Sequence, residues 1–278
     1  MSIALILPAR RKSTRLAEKL LLNKTGKTVL EHTIERAREA QSLSNGLVTT
    51  VLVAVDDPDL FQVAERAGVK VVMTRSDHPS GTDRLAEAAA HLKESIVVNV
   101  QADEPELPAA LILKVAALVS HSNAVMSTLA VPILDEDKFL KPNVVKVVVD
   151  QTGKALYFSR APIPFAREPN DAAAVWRLKA PGGSLKRVFG LHHLGLYAYR
   201  REFLAEFATL PPSWLERLEK LEQLRVLENG YSIMVGLARS HPPGIDTPED
   251  YTAFVDRWTR TGGKLVNESS DLNFSDFV

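Results

Sequence analysis

The chain has 278 residues, enough for one large α/β domain or two smaller ones. Lys plus Arg and Asp plus Glu balance at 34 each, 45% of residues are hydrophobic, and cysteine is absent. These values exclude a general electrostatic attraction to nucleic acid or an anionic membrane, a disulfide scaffold and thiolate chemistry. The opening MSIALILPAR is too short for a membrane span and lacks the pattern of a signal peptide. A cytoplasmic protein with no nucleic-acid or membrane partner is expected.

Short Val- and Ile-rich runs alternate with amphipathic stretches, which predicts strands and helices taking turns around a buried, mostly parallel sheet. Residues 3–7 are the first strand. In VLEHTIERAREA, Leu30, Ile34 and Ala37 share one helical face. A strand follows at 49–55. Asp56-Asp57-Pro58 closes it and caps a helix over 60–67, which Gly68 stops. The spacing then predicts a strand at 70–73, a helix at 82–91, a central strand at 96–100 and a helix at 108–120. Beyond residue 124 the runs AVMSTLAV, VVKVVVD and ALYFS leave little room for helices, and Asp150 to Gly153 reads as a hairpin turn. A strand at 191–199, a helix at 215–228, a strand at 232–237 and a helix after Pro248 complete the expectation. Residues 166–187, rich in Pro, Gly and charge, are either an excursion over a site or toward a partner, or an ordinary surface loop. The segment 262–278 shows no period and is expected to be a flexible tail.

Three segments point to chemistry. The first strand runs into PARRKSTRLAEK, a cationic, hydroxyl-bearing loop at the strand's carboxyl end, where open α/β sheets bind ligands. No glycine lies in it, so it is neither a dinucleotide fingerprint nor a Walker loop; phosphates would be held by side chains and free N–H groups, while on its own a solvated basic turn is the simpler reading. The central strand ends in Asp103 and Glu104, placed to hold magnesium beside phosphates or to cap a helix. In GIDTPED, Asp246 stands in a turn before a helix, where capping is the simpler role.

Eight segments together resemble the 3-deoxy-manno-octulosonate (Kdo) cytidylyltransferase family, the CMP-Kdo synthetases: LPARRKSTRLAEK, TRSDHPSGTDRLAE, VNVQADEP, LKPNVVKVV, ALYFSRAPIP, HHLGLYAYR, LEKLEQLRVLENG and PGIDTPEDY. The resemblance implies a Rossmann-like three-layer α/β/α nucleotidyltransferase fold, with a mostly parallel mixed sheet and a smaller β-rich subdomain. It implies one domain over 1–261, with 1–123 binding CTP and 124–261 serving the sugar and dimerisation. It implies a homodimer that joins CTP to Kdo with magnesium for lipopolysaccharide synthesis. Arg10, Ser13, Arg15 and Lys19 then match the phosphate loop, with Lys19, Arg15 and Asp103 as the catalytic set. Arg75, Ser80, Gly81 and Thr82 fall in the cytosine and substrate loop, and Asp103 and Asp246 match the magnesium carboxylates. Gln101, His193, Tyr197, Glu222 and Gln223 fall in segments around the sugar acid. His193 and Tyr197 would equally suit a packed strand face, and Glu222 and Gln223 the solvated side of a helix with a Leu215, Leu218, Leu221, Leu224 stripe.

Two departures stand out. The family's Pro-Gly before the loop lysine is Ala17-Glu18 here, which brings a negative charge beside bound triphosphate unless Glu18 points away. The Gly before the magnesium aspartate is Ala102. Other readings are a cytidylyltransferase for a different acid sugar, such as sialic acid or amino-Kdo, and a noncatalytic nucleotide-binding homologue.

Overall fold

Several helix starts along the chain are set by side chains that accept the first free amide groups. The computed structural model describes every residue except Thr14, Pro79, 169–175, 180–183, 265–270, 273–275 and 277–278. Strand β1 (Ile3–Ala9) leads through a short 3-10 turn at Lys19–Leu21 to helix α1 (Val29–Leu43). Thr28 caps α1, and Glu31 returns the bond to the Thr28 amide. After β2 (Val48–Val55), Asp57 accepts the amides of Asp59 and Leu60 to start α2 (Pro58–Arg66). Gly68, at φ +72°, lets the chain turn into β3 (Lys70–Met73). Ser80 caps α3 (Gly81–Ala89), and β4 (Ile96–Asn99) and α4 (Ala109–Ser120) follow.

Next come β5 (Met126–Ile133), α5 (Glu136–Leu140), β6 (Lys146–Val149) and β7 (Ala155–Ser159). A small ribbon, β8 (Arg177–Lys179) with β9 (Leu185–Arg187), precedes β10 (Gly190–Arg200). The chain ends with α6 (Arg201–Phe207), α7 (Trp214–Glu219), α8 (Gln223–Glu228), β11 (Ile233–Ala238), α9 (Pro248–Arg260) and β12 (Asp271–Leu272). The architecture is α/β with a mixed, mostly parallel sheet and a small additional ribbon. Among the described residues no helix is long and apolar enough to cross a membrane.

Two compact units share these elements. The first takes Met1–Ala116, Leu196–Ala208 and His241–Glu268. In it β3, β2, β1 and β4 lie side by side and parallel, and the end of β10 runs antiparallel to β4. Leu5, Ile6 and Leu7 of β1 are fully buried, as a strand covered on both faces requires. The order steps outward from β1 to β2 to β3, then back past β1 to β4. With right-handed crossovers, α1 and α2 therefore cover one face and α3 the other. A crevice opens where the order reverses, at the carboxyl ends of β1 and β4.

The second unit takes Ala117–Gly195, Thr209–Ser240 and Ser269–Val278. There β11 runs parallel to β5, β6 lies antiparallel to both β10 and β7, and β12 pairs with the end of β11. Asp150 makes the hairpin turn by accepting the amides of Thr152 and Lys154. Two expectations change. The short helix α5, capped by Asp135, occupies a stretch read as strand and loop. The helix expected over 215–228 is two helices, because Lys220 adopts a left-handed conformation (φ 55°) and ends α7. The leucine stripe is broken with it: Leu218 is 66% exposed, while Leu221 and Leu224 are buried. Of the proposed tail, most lies outside the described residues, as do 169–175 and 180–183 of the 166–187 segment.

Two buried histidines link packing to pH. His32 of α1 meets the rings of Trp258 and Phe254 on α9 edge to face, at centroid distances of 4.4 and 5.3 Å, and burial pushes its pKa down to about 4. In the second unit His193 stands edge-on to Phe158, 3.1 Å from the Thr128 hydroxyl, and burial pushes it down to about 3. Folding favours both neutral imidazoles, so the unfolded chain takes up their protons first. Their contribution is complete above the ordinary value of 6.5 and is lost as pH falls from there toward 4. The melting temperature should therefore be flat above pH 7 and decline between 6.5 and 5, and His32→Gln should flatten part of that slope; an unchanged slope would contradict this account.

Candidate active site

At the carboxyl end of β1 the loop after Ala9 returns through the 3-10 turn, and Lys19 points its side chain, only 15% exposed, into the crevice of the first unit. Its ammonium donates to Asp103 Oδ2, to Asp246 Oδ1 at 3.1 Å and to the Ile245 carbonyl at 3.1 Å. Arg15 adds a second cation on the same Asp246 oxygen, at 2.9 Å. Thus Lys19, Arg15, Asp103 and Asp246, drawn from distant parts of the sequence, meet at one point.

Each carboxylate is free for this because another group does the local work. Helix α9 is capped by Thr247, in a box with Asp250, so Asp246 is not the cap. Helix α4 begins at Ala109, too far along for Asp103 to cap it. The Ala102 carbonyl accepts from Thr33 of α1 at 2.9 Å, and the Asp103 carbonyl accepts from the Ile245 amide at 2.9 Å. A Cβ at Gly244 would stand 3.4 Å from Glu104 Cγ and 3.6 Å from the Asp103 carbonyl oxygen, ordinary contact distances, so the approach does not depend on glycine. Ala102 is buried and has no left-handed backbone, so the departure from glycine adds a methyl group without strain.

Two carboxylates and a carbonyl turned toward one cation form an oxygen donor set suited to a hard divalent ion, whose remaining positions water and phosphate fill. Among the described residues no group of three or more His, Asp or Glu is spaced to hold a metal, so any ion here depends on such extra ligands.

Arg10 is exposed on the same loop, and Ser13 is partly buried. Arg75 is paired with Asp77 through two bonds of 2.9 Å, and its amide reaches Glu87. The Ser80 hydroxyl is engaged in capping α3, Gly81 is its first residue, and Thr82 is buried beside it. Gln101 turns the chain after β4 by accepting the Glu104 amide, and Tyr197 on β10 lies opposite Asn99. His193, Glu222 and Gln223 belong to the second unit. There Gln223 is 4% exposed and its side-chain nitrogen has no hydrogen-bond partner, which differs from the solvated position read from the helix pattern.

A buried ion pair behind the site was not legible in the sequence. Arg84 of α3, 3% exposed, donates to Asp56 at 2.9 Å and to Thr74 at 2.6 Å, while the other Asp56 oxygen accepts the Arg11 amide at 3.0 Å. Asp56 therefore joins the loop after β1 to the segment that carries Arg75 and Ser80.

A cationic loop facing paired carboxylates, at the switch point of a mostly parallel sheet, defines an α/β protein arranged to receive a polyanionic nucleotide. Residues 4–233 match the family described as Cytidylyltransferase. The chain is 46% identical over 253 residues to the 3-deoxy-manno-octulosonate cytidylyltransferase of Syntrophotalea carbinolica, covering 90% of this chain and 96% of that one. It is 45% identical over 259 residues to the enzyme of the same name from Geobacter sulfurreducens, covering 92% and 99%. A solved CMP:2-keto-3-deoxy-manno-octonic acid synthetase, complexed with CTP, superposes with a TM-score of 0.82 at 34% identity, covering 94% of this chain and all of that one. The chain belongs to the cytidylyltransferase family and, within it, to the 3-deoxy-manno-octulosonate cytidylyltransferases, the CMP-Kdo synthetases.

Removing one partner of the buried pair leaves the other charge stranded. Asp56→Ala should lower unfolding stability by about 3–5 kcal/mol, read by urea titration. A loss below about 1 kcal/mol would show that the pair is solvated like a surface one.

Proposed function

We propose that this enzyme joins CTP to Kdo, releasing pyrophosphate and forming CMP-Kdo for lipopolysaccharide synthesis, with magnesium as the divalent ion. The observation that carries the site assignment is the Lys19 ammonium held between Asp103 and Asp246. We place the protein in the cytoplasm as a homodimer, with residues 1–123 serving CTP and 124–261 serving the sugar and dimerisation.

The anomeric hydroxyl of Kdo attacks the α-phosphorus of CTP, and pyrophosphate leaves in line. A P–O bond forms as another breaks, and the hydroxyl proton is released. Triphosphate and sugar carboxylate both carry negative charge, so the protein's contribution is chiefly positioning and neutralisation. Lys19, already extended into the crevice, moves its ammonium from the carboxylates to the departing phosphates. Arg10 and Arg15 reach the same phosphates from the exposed side of the loop, and the Ser13 hydroxyl donates to them. Asp103 and Asp246 would hold magnesium, which would supply positive charge beside the phosphates and lower the pKa of the attacking hydroxyl. Arg75, Ser80, Gly81 and Thr82 form the cytosine loop. Gln101, His193, Tyr197, Glu222 and Gln223 are assigned to the sugar acid, with the unpartnered Gln223 amide the best supported of these.

Pyrophosphate release measured with a panel of nucleotides and acid sugars should be fastest with CTP and Kdo, at least tenfold over ATP or GTP; equal turnover with a purine nucleotide or with sialic acid would overturn the substrate assignment. Asp103→Asn keeps the shape and removes the charge, and turnover should fall by about a hundredfold with the melting temperature almost unchanged. Full activity in that variant would remove Asp103 from the metal site.

A further inference from the structure

Glu18 stands where the family resemblance calls for glycine, and its backbone shows why: φ 52° and ψ 27° place it in the left-handed region. Its side chain is drawn off in one direction. The Glu18 carboxylate accepts from Arg11 Nε at 3.0 Å and from Nη2 at 2.7 Å. The same guanidinium donates to Asp57 at 3.0 Å and also contacts Asp59. Its backbone amide is the group bound to Asp56. Arg11 is thereby fastened, by main chain and side chain, to the junction of β2 and α2, while its fork grips the residue preceding Lys19.

Resting on the functional reading above, we propose that Arg11 is a positioning residue of the nucleotide loop, which neutralises Glu18 and holds it away from bound triphosphate so that Lys19 extends to Asp103 and Asp246. Without Arg11 the carboxylates of Glu18, Asp57 and Asp59 face one another with no shared cation. Glu18, free to move and adjacent to the loop lysine, then repels the triphosphate and competes for the ammonium. The pairs are partly exposed, so their effect on unfolding is small. Their effect on an incoming polyanion is not, because that ligand brings its own charge to the spot. An arginine that contacted phosphate directly would behave differently, since its loss could not be repaired at Glu18.

The full-length protein, Arg11→Ala, Glu18→Gly and the double variant separate these cases, with CTP affinity by calorimetry, KM and kcat, and a thermal melt for each. Arg11→Ala should weaken CTP binding about five- to tenfold, in both Kd and KM, with kcat within about twofold and the melting temperature nearly unchanged. Glu18→Gly should bind like the parent. The double variant should recover to within about twofold of the parent, a non-additivity that marks the two residues as one unit. Parent-like CTP binding by Arg11→Ala, or a double variant as weak as that single one, overturns the proposal. A parent that binds no CTP overturns the functional reading, and this inference falls with it.

Discussion

An ammonium shared by two carboxylates fixes three separate stretches of the first unit to a single point. Lys19 arrives from the loop after β1, Asp103 from the exit of β4, and Asp246 from the segment before α9. The ammonium between the two carboxylates offsets their mutual repulsion. One stands in the turn just beyond β4, a strand buried throughout. The Ile245 amide, bound to the Asp103 carbonyl, sets the position of the other. Without ligand the site supplies its own counter-ion. On the proposed mechanism, bound triphosphate would draw that ammonium away and leave the two carboxylates to a divalent ion.

The loop that carries Lys19 contains no glycine, so it is held by side-chain charge where a glycine-rich loop would rely on backbone freedom. Arg11 and Asp56 provide the anchorage. Asp56 uses both oxygens, one for the Arg11 amide and one for buried Arg84. The loop after β1 and helix α3 thus share one carboxylate. On the proposed reading, that arrangement directs the Glu18 carboxylate onto Arg11.

The first unit was readable because its strands are continuous apolar runs and the starts of α1, α2, α3 and α9 carry distinct caps. Asp57-Pro58 and Gly68 bracket α2 as their chemistry predicts. Asp103 is legible at the end of the central strand, and it lies in the turn just beyond β4. Asp246 was harder: a carboxylate before a helix usually caps it, and here Thr247 and Asp250 take that role. Long-range choices left no local trace. Nothing around Asp56 reveals that its partner is Arg84, and nothing in LEKLEQL marks the left-handed Lys220, since no glycine announces it. The burial of Gln223 follows from that break, so a helical wheel drawn through 215–228 assigns it the wrong environment.

The most direct test of the account is a crystal structure of the protein with a non-reactive CTP analogue and manganese in place of magnesium. The account predicts an anomalous peak bound to Asp103 and Asp246 at metal–oxygen contact, about 2.1 Å for magnesium itself, with the Lys19 ammonium moved onto phosphate oxygen. A Lys19 ammonium still lodged between the two carboxylates, with the metal and triphosphate bound elsewhere, would contradict it.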